Sequence, residues 1–220
     1  MIPKICVSIV PKNEAEALQL TEKAEATHAD FIEVRLDRLE NHRGLAELAA
    51  HGKTPKIATD KGSRNETEHR QLLITAAKSG FEYVDAALST PQLEGLVEEL
   101  KTLGSKPIVS FHKFDGSLSL SELNSVLERE ISAGAEVCKI VTTAKQMEDN
   151  LANLNLTASA SRKTKVVCFC MGELGKVSRL LSPLFGGFFT FASLESGSET
   201  ASGQMTIQEM KASYELLGKK

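Results

Sequence analysis

Short apolar runs rich in Val, Ile and Phe alternate along this chain with longer segments whose apolar residues recur every three and four positions. The first pattern is that of buried strands and the second that of amphipathic helices. The runs predict strands at Ile5–Val10, Phe31–Leu36, Lys56–Asp60, Tyr83–Ala86, Pro107–His112, Val137–Val141, Lys165–Cys170 and Gly187–Phe191. The helical period predicts Asn13–Thr27, Leu45–His51, Glu66–Ser79, Thr90–Leu103, Leu118–Ala133, Thr143–Ser159, Leu174–Leu184 and Met205–Leu217. Local chemistry agrees with the periods. Asn13 stands where a helix needs a cap, and Thr90-Pro91 offers a proline at a first helical position, where the missing N–H costs nothing. Ser79-Gly80, Leu103-Gly104 and Ala133-Gly134 each close a helix before glycine.

Eight strand–helix units in succession predict the α/β class and, within it, a (β/α)8 TIM barrel filling residues 1–220 as one catalytic domain. The 220 residues suit the compact end of such barrels. A chain of this length can bury roughly 70% of the surface it exposes when unfolded. A doubly wound sheet is the structural alternative. A dinucleotide-binding version would carry glycines after its first strand, and Val10-Pro-Lys-Asn13 has none.

Composition narrows the function classes. With 41% hydrophobic and 25% charged residues the chain is an ordinary globular protein. The formal charge of −3, from 26 basic and 29 acidic residues spread along the chain, leaves no broad basic face for nucleic acid or an anionic membrane. The apolar stretch near the amino terminus is too short for a signal-peptide core, and no run approaches the ~20 apolar residues of a membrane span. The expectation is a cytoplasmic protein. Cys6, Cys138, Cys168 and Cys170 lie in apolar runs and are expected to be small buried hydrophobes; Cys168-Phe-Cys170 lacks zinc spacing, so no metal is expected. His28, His42, His51 and His69 fall in helices or connections and are expected to be solvated, as are Lys/Glu-rich helical faces such as that from Glu14 to Glu25.

In a barrel the reactive residues gather at the carboxyl ends of the strands. The period of two in Phe31-Ile-Glu-Val-Arg-Leu-Asp37 sends Glu33, Arg35 and Asp37 to one face, and on a strand covered from both sides that row must pair internally or meet a ligand. Pro107–His112 ends in histidine. Glu136-Val-Cys-Lys-Ile-Val141 sets Lys139 inside an apolar run, where burial lowers an ammonium pKa and leaves the neutral amine that imine formation with a ketone requires. Read alone, Lys139 is equally a lysine that snorkels to the rim or pairs with an acid such as Glu33. His112, ending a strand only ~4.8 Å away, favours the nucleophile and is placed to exchange protons with groups bonded to it.

These residues resemble the type I 3-dehydroquinate dehydratases of the shikimate pathway. The likeness covers most of the chain: Cys6-Val-Ser8, Glu33-Val-Arg35-Leu-Asp37, Ser110-Phe-His112-Lys-Phe114, Lys139-Ile140, Met171-Gly-x-x-Gly175-x-x-Ser178-Arg179 and Thr200-Ala-Ser-Gly203-Gln204, in order on successive units. The resemblance implies dehydration of 3-dehydroquinate through a Schiff base on Lys139, with His112 as proton shuttle and no metal or organic cofactor. It implies Arg179 as the seat of the substrate carboxylate, and Ser8, Glu33, Arg35, Thr200 and Gln204 as further substrate contacts. A homodimer is the expected assembly.

There are three departures. Lys61 stands where the family usually has arginine, giving a point charge without a bidentate fork and predicting weaker substrate binding. The glutamate that orients the histidine has Asn65, Glu66 and Glu68 as candidates, of which Glu66 is chosen. In the closing motif Thr200 keeps the hydroxyl of the usual serine, while Ser202 replaces a common proline and should loosen the loop. That Gly/Ser-rich segment, 194–204, is expected to close over bound substrate. Two other readings compete: another lysine-imine barrel enzyme of aldolase type, and a barrel that binds a small acid without turning it over.

Overall fold

A computed structural model describes residues 2–62 and 64–218. Among these residues eight parallel strands alternate with eight α-helices. The strands are β1 (Ile5–Ile9), β2 (Phe31–Arg35), β3 (Lys56–Thr59), β4 (Tyr83–Ala87), β5 (Lys106–His112), β6 (Val137–Thr143), β7 (Lys165–Met171) and β8 (Thr190–Ser193). The helices are α1 (Glu14–Ala26), α2 (Leu45–Ala50), α3 (Glu66–Lys78), α4 (Leu93–Thr102), α5 (Leu120–Ser132), α6 (Asp149–Ala160), α7 (Lys176–Leu181) and α8 (Ile207–Leu216).

From β1 to β7 each strand pairs with the next, and β1 also pairs with β8, in the order β7-β6-β5-β4-β3-β2-β1-β8. Between β7 and β8 the backbone N–H of Phe188 donates to the Val166 carbonyl at 2.7 Å, so the barrel is nearly closed. No helix among the described residues is long and apolar enough to cross a membrane.

Two shells of apolar packing hold this arrangement. Outside the barrel, Val7, Ile32, Val34, Val84 and Val109 meet helix residues such as Leu48, Leu73 and Leu96. Inside, Phe31, Ile57, Tyr83, Ile108, Val137 and Phe189 plug the end of the barrel where the strands begin. Phe31 and Phe189 approach to 4.8 Å between ring centroids, within the range where aromatic pairs gain ~1 kcal/mol beyond their buried area. The floor is therefore apolar, and polar side chains gather toward the other end. All four cysteines are free and buried.

Caps explain most boundaries. Asn13 accepts from the Glu16 N–H, and Ser119 and Thr206 open capping boxes with Glu122 and Glu209. Gly80, Gly104 and Gly134 take the left-handed conformation just past α3, α4 and α5, as their positions predict.

Other boundaries differ from the sequence reading. Pro91 is not a first helical residue: Thr90–Gln92 form a turn, Gln92 is left-handed (φ 51°), and α4 begins at Leu93. α6 starts at Asp149, not Thr143, because β6 runs on to Thr143 and Asp149 accepts from the N–H groups of Lys145 and Gln146. The segment read as Leu174–Leu184 is a short helix between two 3-10 turns, Glu173–Gly175 and Ser182–Phe185. β2 stops at Arg35, so Asp37 lies in a 3-10 turn and, of the three charged residues, Glu33 and Arg35 alone point inward from the strand.

Candidate active site

The carboxyl ends of the strands surround a cavity of about 840 Å³. All ten residues singled out from sequence line it: Ser8, Glu33, Arg35, Lys61 and Glu66 from the first half of the chain, and His112, Lys139, Arg179, Thr200 and Gln204 from the second. The barrel gathers these residues from four strands (β1, β2, β5 and β6) and from the segments that follow three others (β3, β7 and β8).

Lys139 is 4% exposed, and its Nζ donates to Asp85 Oδ2 at 2.9 Å and lies 3.6 Å from Glu33 Oε1. It also sits 4.3 Å from the centroid of the Phe191 ring, where an ammonium gains from the π face. Burial alone pushes its pKa down, but the Asp85 and Glu33 carboxylates outweigh burial and hold it above the ordinary lysine value. This corrects the expectation of a neutral amine: beside Asp85 and Glu33, Lys139 is a paired ammonium. Asp85, one of the residues the sequence reading passed over, explains the reversal. A lone carboxylate in the apolar run Tyr83-Val-Asp85-Ala-Ala87 is the same kind of signal that singled out Lys139.

Asp85 bridges two cations. Its Oδ1 accepts from Lys61 Nζ at 2.8 Å and from Ser110 Oγ at 2.6 Å, while Ser110 Oγ accepts from Lys61 at 3.1 Å. Burial raises the Asp85 pKa, but Lys139, Lys61 and His112 together drive it far below the carboxylate range.

His112 lies two residues beyond Ser110, which is paired in register with Lys139. Burial is the main reason its pKa falls, to about 3, with Lys139 and Lys61 adding to the effect and Asp85 opposing it. A neutral imidazole at neutral pH can accept a proton. Phe114, 73% exposed, stacks over it at 6.0 Å.

Glu33 accepts from Ser8 Oγ at 2.7 Å and Thr59 Oγ1 at 2.9 Å. Arg35 is gripped by both oxygens of Asp37 at 2.8 Å; burial lowers its pKa, but Asp37 and Glu33 more than restore it.

Arg179 is the opposite case. It is 1% exposed, makes one long bond from Nη1 to the Phe191 carbonyl at 3.5 Å, and leaves Nε and Nη2 without a partner. Its guanidinium stacks 4.4 Å from the Phe169 ring, and burial lowers its pKa to about 10. A buried, under-satisfied fork on a cavity wall is chemically matched to a carboxylate.

The loop after β8 reaches back over the mouth. Thr200 donates through N–H (2.7 Å) and Oγ1 (3.2 Å) to Gln204 Oε1, and the Gly172 N–H donates to the Ser202 carbonyl at 3.0 Å. Gly203 has φ 72°, and a Cβ there would stand 2.0 Å from the Gly172 carbonyl oxygen, so the loop docks at a point where only glycine fits.

The β3–α3 connection sorts the three acid candidates. The Asn65 side chain caps α3 by accepting from the Glu68 N–H, and Glu68 does not line the cavity, whereas Glu66 does. Among the described residues no hydrogen bond joins Glu66 to His112. His69, expected to be solvated, is half-buried on the cavity wall, and Asp60 Oδ2 lies 2.7 Å from its Nδ1. Burial raises the Asp60 pKa, but His69, the Gly62 N–H and Arg64 lower it overall. His42 is also engaged, 2.9 Å from the Leu36 carbonyl. No group of three metal-binding side chains occurs among the described residues.

The Type I 3-dehydroquinase family profile matches residues 5–220. The chain belongs to this family. It is a lyase of the shikimate pathway, a 3-dehydroquinate dehydratase. A 3-dehydroquinate dehydratase of Dehalococcoides mccartyi is 38% identical over 97% of this chain and 95% of its own length. One from Thermococcus onnurineus is 33% identical over 96% of each chain. The crystal structure of the Geobacillus kaustophilus enzyme superimposes with a TM-score of 0.89 at 24% identity, over 98% of this chain and 91% of that one. The aldolase and binding-only readings of the sequence are set aside by this membership.

Proposed function

We propose that the enzyme dehydrates 3-dehydroquinate to 3-dehydroshikimate through an imine on Lys139, with His112 carrying the protons. The observation that carries this reading is the placing of Lys139 and a neutral His112 on one wall of one cavity, on adjacent strands.

The steps balance with these groups alone. Lys139, having lost its proton, attacks the ketone carbon, and the carbinolamine loses water to give an iminium. His112 removes a proton from the adjacent carbon, and the electron pair moves onto nitrogen as an enamine. The enamine expels the neighbouring hydroxyl, which leaves as water with the proton that His112 returns. A water then hydrolyses the iminium, releasing the conjugated enone and free Lys139. The net change is loss of one water. The protonated imine is the electron sink, so the steps call on no metal or organic cofactor.

Arg179 supplies two unpaired donors for the substrate carboxylate. Ser8, Glu33, Arg35, Lys61, Thr200 and Gln204 line the remaining wall as hydroxyl and carboxylate contacts. Glu66 is the candidate to orient His112, its reach made when the substrate and the 194–204 loop close on the cavity.

Residues 1–220 act in this reading as one catalytic domain, in the cytoplasm, where four buried unpaired cysteines would stay reduced. The active species is read as a homodimer. Met147, Leu151, Leu174 and Val177 are exposed apolar residues on and beside α6 and α7, and buried Asn150 ties these elements by donating to the carbonyls of Met147 and Leu174. Such a patch is suited to self-association. Ultraviolet absorbance of the enone tests the reaction: it should grow on mixing 3-dehydroquinate with the wild-type enzyme and not with Lys139→Met. Unchanged turnover in Lys139→Met contradicts the reading.

A further inference from the structure

Lys139 cannot attack a ketone as an ammonium, yet Asp85 at 2.9 Å and Glu33 at 3.6 Å hold it as one. In each state where its nitrogen is neutral (free amine, carbinolamine, enamine), Asp85 loses the positive charge bound to Oδ2. A fully buried carboxylate left without a cation is strongly disfavoured. The structure holds a second cation on the other oxygen of the same carboxylate: Lys61 Nζ at 2.8 Å, braced by Ser110 Oγ. Ser110 is the residue in register with Lys139, so the clamp is built into the strand pairing that presents the nucleophile.

We propose that Lys61 is the standing counterion of Asp85, a positioning residue that keeps this carboxylate neutralised whenever Lys139 gives up its charge. The inference rests on the imine reading above. It assigns Lys61 a task beyond touching the substrate: its ammonium holds one oxygen of Asp85 while the other is left to Lys139. The side chain of Lys61 is 29% exposed and that of Asp85 fully buried, so Lys61 reaches the carboxylate from the mouth of the cavity. The other charged or titratable groups facing the pair are Glu33 and Arg35 on β2, Cys6 on β1 and His112 on β5, with Asp37 beside the Lys61 backbone and Glu130 behind the sheet. Of these only Arg35 is a fixed cation, and both oxygens of Asp37 occupy it. Lys61 is therefore the cation in direct contact with Asp85 once Lys139 is neutral.

The test measures how fast borohydride traps enzyme with 3-dehydroquinate as a function of pH, in wild type, Lys61→Met and Lys61→Arg, with circular dichroism to check folding. Without Lys61, Asp85 holds the Lys139 proton more tightly. Trapping of Lys61→Met near neutral pH should fall about tenfold or more and recover at higher pH, its profile displaced upward by about one unit or more. Lys61→Arg, which keeps a cation beside Asp85, should trap with a profile close to wild type. A Lys61→Met profile superimposed on wild type, with only KM raised, overturns the proposal and leaves Lys61 as a substrate contact. A Lys61→Arg profile displaced like that of Lys61→Met also overturns it, and decides the matter if Lys61→Met does not fold. Enone formation by wild type with no trapped adduct at any pH sinks the imine reading itself, and this inference with it, and so is distinguishable from failure of Lys61 alone.

Discussion

Lys139 and His112 stand one pleat apart on the cavity faces of adjacent strands: Lys139 is in register with Ser110, and His112 is two residues further along the same strand as Ser110. Parallel pairing fixes this offset at ~6.6 Å along the strand and ~4.8 Å across it. A group bonded to Lys139 is thereby carried past the imidazole, the geometry a proton shuttle needs.

The depressed pKa of His112 sets the acid side of the pH dependence. A free histidine would lose its function as a base as pH falls through about 6.5, whereas here the imidazole stays neutral down to about 3. For the free enzyme, kcat/KM should show no inflection from His112 between about pH 6 and 7. His112→Ala should lose about 10²–10⁴-fold in kcat. Because the unfolded chain binds a proton that the folded site refuses, the stabilisation His112 confers is present above about pH 6.5 and is lost progressively as pH falls toward the folded value. A pH–rate profile falling through a single ionisation at an ordinary histidine value contradicts the geometry.

The unpaired Arg179 fork makes a separate prediction about binding. Charge-assisted bonds are worth about 1.5–3 kcal/mol, so Arg179→Ala should lower kcat/KM by about 10–150-fold, mainly through KM. Arg179→Lys should recover only part, since a point charge cannot present two donors in one plane. Steady-state kinetics with 3-dehydroquinate decide it: a loss confined to kcat would assign Arg179 to the chemistry and not to the carboxylate.

Much of this site was legible because burial makes charge conspicuous. Lys139 in an apolar strand, Glu33 and Arg35 alternating with Ile32 and Val34, and His112 ending β5 each broke a hydrophobic pattern. The strand–helix alternation that placed them was equally plain, and caps such as Asn13 set boundaries from local chemistry. What escaped depended on three-dimensional neighbours. Asp85 is as conspicuous in its strand as Lys139, but its effect, raising the pKa of Lys139 where burial alone lowers it, follows only once β4 and β6 are known to flank β5 and to turn these side chains toward each other inside the barrel. His69 lay on a helix face that nothing in its period distinguished from solvent; its contact with Asp60 comes from the path of the β3–α3 loop. The end of β2 at Arg35 and the turn at Pro91 were misjudged because hydrophobic period alone does not say where a strand bends or a chain turns before its helix.

Glu130, on α5, is fully buried and neither carboxyl oxygen has a partner. Burial, the largest cause, and the Asp85 charge raise its pKa well above the carboxylate value. The folded protein therefore keeps a proton that the unfolded chain releases, and the associated stability is full below about pH 4.5 and declines as pH rises toward the folded pKa. Glu130→Met, which removes the polar group and keeps much of the volume, should stabilise by about 1–3 kcal/mol near pH 8, with a smaller gain near pH 5. Thermal melts at the two pH values test this. A variant less stable than wild type at the higher pH would show that Glu130 has a partner that matters.

The central claim is that Lys139, and not the neighbouring amine Lys61, forms the covalent bond to substrate. The most direct measurement reduces the enzyme with borohydride in the presence of 3-dehydroquinate, digests it, and locates the added mass by peptide mass spectrometry. The account predicts one adduct, on the peptide carrying Lys139, absent when substrate or borohydride is withheld. An adduct on Lys61, or full enone production with no adduct on either lysine, would contradict it.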